Sequence, residues 1–471
     1  MGRKLTYLYN KETQHSNMKQ SMTIGSEWKH ILLFSLPIMA GNLLQQLYNT
    51  VDGIVVGNYV SQDALAAVGT CATLSMLFLA IAVGLSTGIG IMVAQYFGGG
   101  RINDLRRSVS TAIILNVACG TVFTVAGWFG AELILSRLLG IDDPAILEMA
   151  TSYFSIYCLG LIFQFVYNIV AAVLRAIGDS RATLYFLCVT AVINLILDLI
   201  FVIIFHWSVA GAAIATVIAQ AICALVSIIY MFKKHDIFRF GRGEFVFDGE
   251  KCVTCLRLGI PGIIQHCVIS FGHIFIQRLV NSFGPVSMAA YTVGNRMENY
   301  VLVPIFGLNA GVSTFAGQNM GAGKLDRIRK GLKATIVMSV IACIVVSILT
   351  YIFAAPLSSL FGVTGETELR AVEQIRFMAM IFVLFAFYMP FSGTLQGSGD
   401  VIFATACSLV TLATRVALAY ALNYFLDVGY SSAWKAMPFG WALAIVMCLT
   451  RFFRGRWKEK GLVKHSEEET T

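Results

Sequence analysis

Long apolar stretches, separated by short polar segments, run through almost the whole chain. A helix that crosses a bilayer needs about 20 mostly apolar residues, and twelve stretches meet this requirement. Polar residues inside them recur at helical spacing, so the pattern predicts an all-α polytopic membrane protein with twelve transmembrane helices. The predicted spans are 31–57, 64–97, 108–131, 146–174, 182–206, 209–232, 257–283, 286–320, 334–360, 369–398, 401–425 and 433–450.

Composition excludes the main soluble classes. Of the 471 residues 57% are hydrophobic and only 13% are Asp, Glu, Lys or Arg, about half the charged share of a soluble protein. A soluble enzyme, a nucleic-acid binder or a disordered scaffold would need a polar surface that this sequence does not supply. We therefore expect the lipid bilayer as a partner and no nucleic acid.

The basic residues predict the orientation in the membrane. Of 34 Lys and Arg, 27 fall in segments on one side of the predicted spans, three on the other side, and four within spans. Cytoplasmic loops are enriched in basic residues. The asymmetry predicts a multi-pass protein of the cell (inner or plasma) membrane with two cytoplasmic ends: a segment over 1–30, and a tail over 451–471 that is first basic and then acidic.

The chain contains an internal repeat. AQYFGGGRINDLRR at 94–107 resembles GQNMGAGKLDRIRK at 317–330, with an offset of 223 residues. We predict an N-lobe over 31–232, a cytoplasmic connector over 233–256 and a C-lobe over 257–450. Six spans in each lobe make the two lobes parallel, related by a pseudo-two-fold axis along the membrane normal. Secondary transporters commonly have this architecture.

Two carboxylates lie deep within the predicted spans of the N-lobe. Asp52 shares a helical face with Gln45 and Asn49, and Asp198 lies one turn beyond Asn194. A buried charge is expensive, so such residues usually face a cavity and have a function. Two nearby carboxylates can load and release a proton, or coordinate Na⁺ with amide and hydroxyl oxygens. The sequence leaves both ions open.

Other polar residues recur at helical spacing. A structural role, in which they hydrogen-bond helices to one another, is the alternative to a role in a cavity. In the N-lobe these residues are Asn42, Tyr153, Tyr157, Gln164, Asn168, Thr216 and Gln220, and in the C-lobe His266, Ser270, His273 and Gln277.

Several segments together resemble the multidrug and toxic compound extrusion (MATE) family. They are SLPIMAGNLLQQLYNTVDGIVVGNYVSQDALAAVG, AQYFGGGRINDLRR, LRAIGDSR and NLILDLIF. The resemblance implies a secondary transporter with two six-span lobes, which exports organic and often cationic compounds in exchange for inward H⁺ or Na⁺. It also implies that the cation-coupling site of the N-lobe consists of Asp52, Tyr153, Asn168, Asn194, Asp198 and Thr216.

The C-lobe departs from one branch of that family, in which an acidic ion site lies on the seventh and tenth spans. Ile269 and Phe385 stand near those positions, so we do not expect such a site. Glu298 has two interpretations: an ion pair with Arg296 at a helix kinked near Pro304, or a substrate contact. We include His266, His273 and Glu298 with Gln45, Asn49 and Gln164 as candidate residues of a substrate cavity.

The sequence thus predicts a secondary active multidrug efflux transporter for lipophilic, often cationic compounds. The alternative is a flippase for lipid-linked or other amphiphilic precursors, whose cavity would hold more cationic residues. We expect no enzyme, no cofactor or bound metal other than the transported H⁺ or Na⁺, and a monomer. We also expect Asp179, in a cytoplasmic loop, to tolerate substitution by Asn.

Overall fold

The computed structural model describes residues 21–59, 62–138, 143–241 and 243–464; the side chains of 48–59, 62–66, 72, 73 and 138 lie outside this description. Within these residues all regular secondary structure is helical, with no strand. The helices are α1 Glu27–Tyr59, α2 Gln62–Gly98, α3 Ile102–Leu133, α4 Pro144–Leu159, α5 Leu161–Ala176, α6 Ser180–Asp198, α7 Ser208–Lys234, α8 Gly249–Asn281, α9 Pro285–Val301, α10 Val303–Gly321, α11 Leu325–Ile352, α12 Ala354–Ser359, α13 Glu366–Gly397, α14 Val401–Leu426, α15 Ser432–Lys435 and α16 Met437–Phe453.

Ten of the described helical segments are individually long and apolar enough to cross a membrane, and two bent pairs raise the number to twelve. The pair α4 and α5 bends by 44° at Gly160, and the pair α9 and α10 bends by 42° at Leu302, just before Pro304. The prediction of a polytopic all-α protein is therefore confirmed. One boundary differs, because α8 already begins at Gly249, inside the segment predicted to be the connector.

The chain packs as two compact units whose borders fall inside helices. Unit 1 contains residues 40–263, and unit 2 contains 22–39 together with the residues from 264 onward. Each unit has its own apolar core, with Phe154 and Phe165 buried in unit 1 and Phe382 and Trp434 buried in unit 2. The first part of α1 therefore packs within unit 2, and the first part of α8 within unit 1.

Two glycines of α2 receive the first part of α8 in unit 1. A Cβ on Gly88 would lie 2.5 Å from the carbonyl oxygen of Cys255 and 2.7 Å from the backbone nitrogen of Gly259. A Cβ on Gly84 would lie 2.6 Å from the backbone nitrogen of Ile263. Two glycines four residues apart let helix backbones approach closely, as in membrane helix pairs with small residues at this spacing.

The same arrangement recurs in unit 2, 223 residues later along the chain. Gly307 and Gly311 of α10 face the first part of α1. A Cβ on Gly307 would collide with the Met39 side chain, and one on Gly311 would collide with the Ser35 hydroxyl and lie 3.2 Å from the carbonyl oxygen of Ile31. The two glycine pairs are thus repeat-related contacts that hold the first helix of each half of the sequence.

Repeat-related glycines also end helices. Gly100 and Gly323 have φ of +67° and +71°, a left-handed conformation that glycine adopts without steric cost. After them the backbone N–H of Arg101 donates to the carbonyl of Tyr96 at 2.9 Å, and that of Lys324 to Asn319 at 2.8 Å. This is the hydrogen bond expected where a left-handed glycine terminates a helix, as the GGG sequence at 98–100 suggests.

Asp179 is not the permissive loop residue that we expected. Its carboxylate is buried, caps α6 through the N–H of Ala182, and accepts hydrogen bonds from Tyr230, Lys234 and His235. Burial alone would raise the pKa of Asp179, but the His235 hydrogen bond, the Lys234 charge and the other donors hold it well below its usual range. Removing one member of such a buried network leaves the others unpaired, so Asp179→Asn would not be mild.

The starts of α1 and α8, or the polar segments just before them, are each bound to the beginning of another helix. In unit 1 Lys251 pairs with Asp104 at 2.7 Å, and Arg106 donates to the carbonyl oxygen of Ile237 at 2.8 Å. In unit 2 Arg327 donates to the carbonyl oxygens of Gly25 at 2.9 Å and Met22 at 3.2 Å. These contacts fix the starts of the same two helices that the glycine pairs receive.

The glycine contact in unit 1 predicts a specific instability. In Gly88→Val the added carbons would overlap backbone atoms of α8. A backbone cannot shift away as the end of a flexible side chain can. We expect a loss of about 3 kcal/mol of stability, seen as a lower thermal midpoint of the purified protein in detergent. The control is Gly69→Val in the same helix, where a Cβ meets nothing within 4 Å. Equal midpoints for the two variants would contradict the close packing.

Candidate functional site

Unit 1 contains a cavity of about 280 Å³. It lies among α1, α2, α5, α6 and α7, and apolar side chains such as Leu79, Val83 and Leu187 form part of its wall. The remaining wall includes six polar residues that the helical spacing had singled out. They are Asn42, Gln45, Gln164, Asn168, Thr216 and Gln220.

The break between α4 and α5 positions part of this polar wall. Gly160 lies at the bend, and a Cβ there would be 2.6 Å from Oε1 of Gln220. After the break, α5 places Gln164 and Asn168 one turn apart on the cavity side. The amide nitrogen of Asn168 donates to the carbonyl oxygen of Gln164 at 2.9 Å, which leaves the oxygen of the Asn168 amide available to a cation or solute.

Asp198, Asn194 and Thr216 form a buried polar cluster next to the cavity. Asp198 and Asn194 are each only 1% exposed, whereas Thr216 reaches the cavity wall. With its nitrogen turned toward Asp198, the Asn194 amide donates to Oδ2 at 2.8 Å and its oxygen accepts from the N–H of Thr216 at 3.2 Å. The Thr216 hydroxyl donates to the carbonyl oxygen of Ala212 at 3.0 Å. Thr216 therefore connects the buried carboxylate with the cavity.

Three other residues predicted for the N-lobe are not seen in this cluster. The side chains of Asp52 and Asn49 lie outside the described residues, so their part in the site stays a prediction. Tyr153 is 8% exposed and packs in the apolar core, its ring 6.3 Å from that of Tyr157. That core also contains Ala212, one turn before Thr216.

Arg175 was missed as a cavity residue. The distribution of basic residues assigns it to a cytoplasmic loop, but α5 continues to Ala176 and Arg175 lines the cavity together with Tyr167. Arg175 follows Asn168 by seven residues, which is about two helical turns. This spacing was the sequence signal that could have placed Arg175 on the same helical face as Asn168.

The candidate residues of the second half are not brought into this cavity. His266 and His273 lie on an exposed face of α8 in unit 2, where Ser270 donates to the carbonyl oxygen of His266 at 3.0 Å. Phe385 packs against Trp441, with ring centroids 5.2 Å apart.

Of the two interpretations of Glu298, the ion pair with Arg296 is not found among the described residues. Arg296 lies over the ring of Phe361 at 5.9 Å. The charge that acts on Glu298 is that of Arg415 in α14, whose guanidinium also donates to the hydroxyl of Tyr291 at 3.3 Å. Sequence separation hid this partner, because Arg415 lies more than a hundred residues away.

The cluster in unit 1 offers oxygen ligands rather than a transition-metal site. Among the described residues no group of three or more His, Cys, Asp and Glu side chains could hold a metal. One carboxylate with hydroxyl and amide oxygens suits a proton or a hard monovalent cation. The site can therefore change its charge by binding an ion.

A family model supports the same organisation of the chain. The MatE model matches residues 37–200 and again 261–421, which is one match in each half at the offset of the internal repeat. The protein is thus a polytopic helical membrane protein with a duplicated core. The chain belongs to the MatE family, and the resemblance noted in its sequence is confirmed.

Relatives of known name match nearly the full chain. It is 28% identical over 460 residues to "Probable multidrug resistance protein YoeA" of Bacillus subtilis, covering 96% of this chain and 99% of that one. Identity to "Probable multidrug resistance protein YpnP" of the same organism is 29% over 443 residues, covering 93% and 97%. A solved outward-facing structure of a multidrug resistance MATE family transporter shares the fold, with a TM-score of 0.87, 24% identity and coverage of 93% and 98%.

The cluster predicts a selective effect of Thr216→Val. The substitution keeps the side-chain shape and the backbone N–H that Asn194 accepts from, but it removes a hydroxyl oxygen from the cavity wall beside the Asp198 cluster. If that oxygen contacts a bound cation, the apparent affinity for the cation should fall about tenfold, equivalent to about 1.4 kcal/mol. Transport rate against ion concentration in proteoliposomes measures it. Thr190→Val is the control, because Thr190 lines the same cavity two turns before Asp198 and donates to the carbonyl oxygen of Phe186. A similar shift in both variants would argue against a specific ion contact.

Proposed function

We propose that this protein is a secondary active multidrug exporter, which expels lipophilic and often cationic organic compounds in exchange for inward H⁺ or Na⁺. The observation that carries the proposal is the buried Asp198 cluster, linked by Thr216 to the polar cavity of unit 1. Membership of the MatE family and the printed names of the relatives, which are multidrug resistance proteins, support the same function.

The coupling follows from the cost of a buried charge. An ionised Asp198 attracts a cation, and binding of H⁺ or Na⁺ cancels that charge in the apolar interior. A drug cation binds less strongly to a neutralised site. Binding of the ion therefore weakens binding of the drug, and binding of the drug weakens binding of the ion. A ligand shifts a conformational equilibrium only by its different affinity for the two states. Opposed preferences of this kind are what exchange requires.

The distribution of basic residues supports the orientation. With both ends cytoplasmic, the basic segments face the anionic inner leaflet. We propose a multi-pass protein of the cell membrane that works as a monomer, without a cofactor other than the transported ion. The electrical part of the driving force is about 2.3 kcal/mol per charge for each 100 mV.

One observation favours the flippase alternative: the positively charged side chain of Arg175 lines the cavity. A lipid pyrophosphate carries several negative charges and would be matched by several basic groups. The other polar residues of the cavity wall are uncharged amides and hydroxyls. Export of drug-sized compounds therefore remains the better supported function.

Efflux from proteoliposomes tests this proposal. The purified protein should move ethidium against its concentration gradient when a Na⁺ gradient or a pH gradient is imposed separately, and one of the two should be sufficient. Monensin or nigericin, which collapse the respective gradient, should abolish the movement, and protein-free liposomes are the control. Transport that needs ATP, or no gradient-driven movement of any tested organic cation, would contradict the proposal.

A further inference from the structure

Unit 2 has an apolar groove of about 440 Å³ on its surface, between α11 and α13. Its floor consists of small buried residues, Cys343 and Ser347 of α11 and Ala379 of α13. Larger residues form its rims, of which Ile348 is 54% and Met380 is 60% exposed. A groove with a floor of small residues and exposed apolar rims can receive an apolar ligand.

The spacing of residues along the two helices gives the groove its direction. Cys343, Ser347 and Tyr351 of α11 are one helical turn apart, and so are Ala379 and Val383 of α13. Residues at this spacing lie above one another on one face of a helix, so the groove runs along the helices. From Cys343 to Tyr351 it extends about 12 Å, close to the thickness of about 15 Å for one leaflet of the hydrocarbon core.

Arg376 lies at one end of the groove. Its guanidinium carbon is 5.3 Å from the ring centre of Tyr351, which lines the groove. After Arg376 the sequence of α13 contains no charged residue from 377 to its end at Gly397, which is about 31 Å of helix. This length matches the hydrocarbon core of a bilayer. Arg376 therefore lies where the hydrocarbon meets the lipid headgroups.

The charge of Arg376 is available to a ligand. In the described part of the chain no carboxylate forms an ion pair with it within 4.0 Å. Of the acidic residues that precede it in α13, Glu366 pairs with Arg370, and Glu373 accepts a hydrogen bond from a tyrosine hydroxyl at 2.9 Å. The contact with an aromatic ring stabilises a cation without neutralising it.

The surroundings of the groove indicate which ligand can reach it. Both α11 and α13 are long and apolar enough to cross a membrane, so the exposed rims of the groove face hydrocarbon. An acyl chain enters such a groove without leaving the bilayer, while its headgroup stays at the level of Arg376. The volume of about 440 Å³ lies in the range of about 300–1,000 Å³ that is usual for ligand sites.

We propose that this groove binds an anionic phospholipid, with an acyl chain between α11 and α13 and the phosphate on Arg376. A guanidinium can donate two parallel hydrogen bonds to a phosphate. A lipid with one net negative charge neutralises the guanidinium, whereas a zwitterionic lipid also brings a positive charge that repels it. In the proposed orientation the lipid belongs to the outer leaflet. The site goes beyond the export function and does not depend on the cluster of unit 1.

Quenching of tryptophan fluorescence by brominated lipids tests the proposal, because bromine quenches an indole only at close range. One reporter is Ile348→Trp at the rim of the groove. The other is Leu349→Trp, the next residue of α11, which is exposed but does not line the groove. The full-length protein is reconstituted in equal amounts of phosphatidylglycerol and phosphatidylcholine, with either lipid brominated. The signal of the native tryptophans, measured without either substitution, is subtracted.

The Ile348→Trp reporter should show a preference of about tenfold or more for phosphatidylglycerol over phosphatidylcholine, as for a charged hydrogen bond. The Leu349→Trp reporter should show a ratio close to one. Adding Arg376→Gln to Ile348→Trp should remove the preference. The matched control is Arg278→Gln, which changes an exposed arginine in the last turn of α8 and should leave the preference unchanged.

Four results would overturn the proposal. They are equal quenching by both lipids at Ile348→Trp, an equal preference at both reporters, a preference that persists in Arg376→Gln, and a loss of equal size in Arg278→Gln. Weak quenching by both lipids at Ile348→Trp, beside strong quenching at Leu349→Trp, would mean that a protein surface covers the groove and would also overturn it. If Arg376→Gln does not fold, the comparison of the two reporters decides. None of these measurements requires transport, so the export function is tested separately.

Discussion

The cost of placing charge in an apolar, water-poor interior governs this protein. That cost explains why only a few ionisable groups lie inside the described helices and why most have specific partners. Asp198 is held by Asn194 beside Thr216, and Arg415, whose charge acts on Glu298, donates to the hydroxyl of Tyr291. Where a charge can be neutralised by a transported ion, the same cost becomes a driving force, because each neutralisation changes which ligand the cavity prefers.

Close helix packing gives these groups a rigid frame. Without a hydrophobic drive between helices in lipid, small residues at the contact surfaces supply the dispersion contacts. Gly84 and Gly88 receive α8, and Gly307 and Gly311 receive α1, at positions that differ by the repeat offset. Each of these first helices also contains a proline, Pro37 or Pro261. Duplication thus preserved a contact and not only a sequence motif, since both copies depend on the missing Cβ.

The sequence predicted the fold well because its signals are local. Apolar length located the spans, including the two that are bent pairs of helices. It also selected most of the polar cavity wall, since residues on one helical face share a spacing of three or four. It failed where the answer depends on packing between distant segments. The charge that acts on Glu298 is that of Arg415 in another helix. Asp179 is buried in a network with side chains of α7, and Arg175 lies in a cavity wall that α5 forms together with other helices.

The central claim is that the charge of Asp198 couples ion movement to export. Asp198→Asn keeps size and hydrogen bonding but removes that charge, and Asp326→Asn, at an exposed surface carboxylate, is the matched control. Both variants are compared with the wild type in gradient-driven ethidium export and in ethidium binding without a gradient. The account predicts that Asp198→Asn loses gradient-driven export while it still binds ethidium, and that Asp326→Asn behaves as the wild type. Export by Asp198→Asn at the wild-type rate and with the same ion dependence would contradict it.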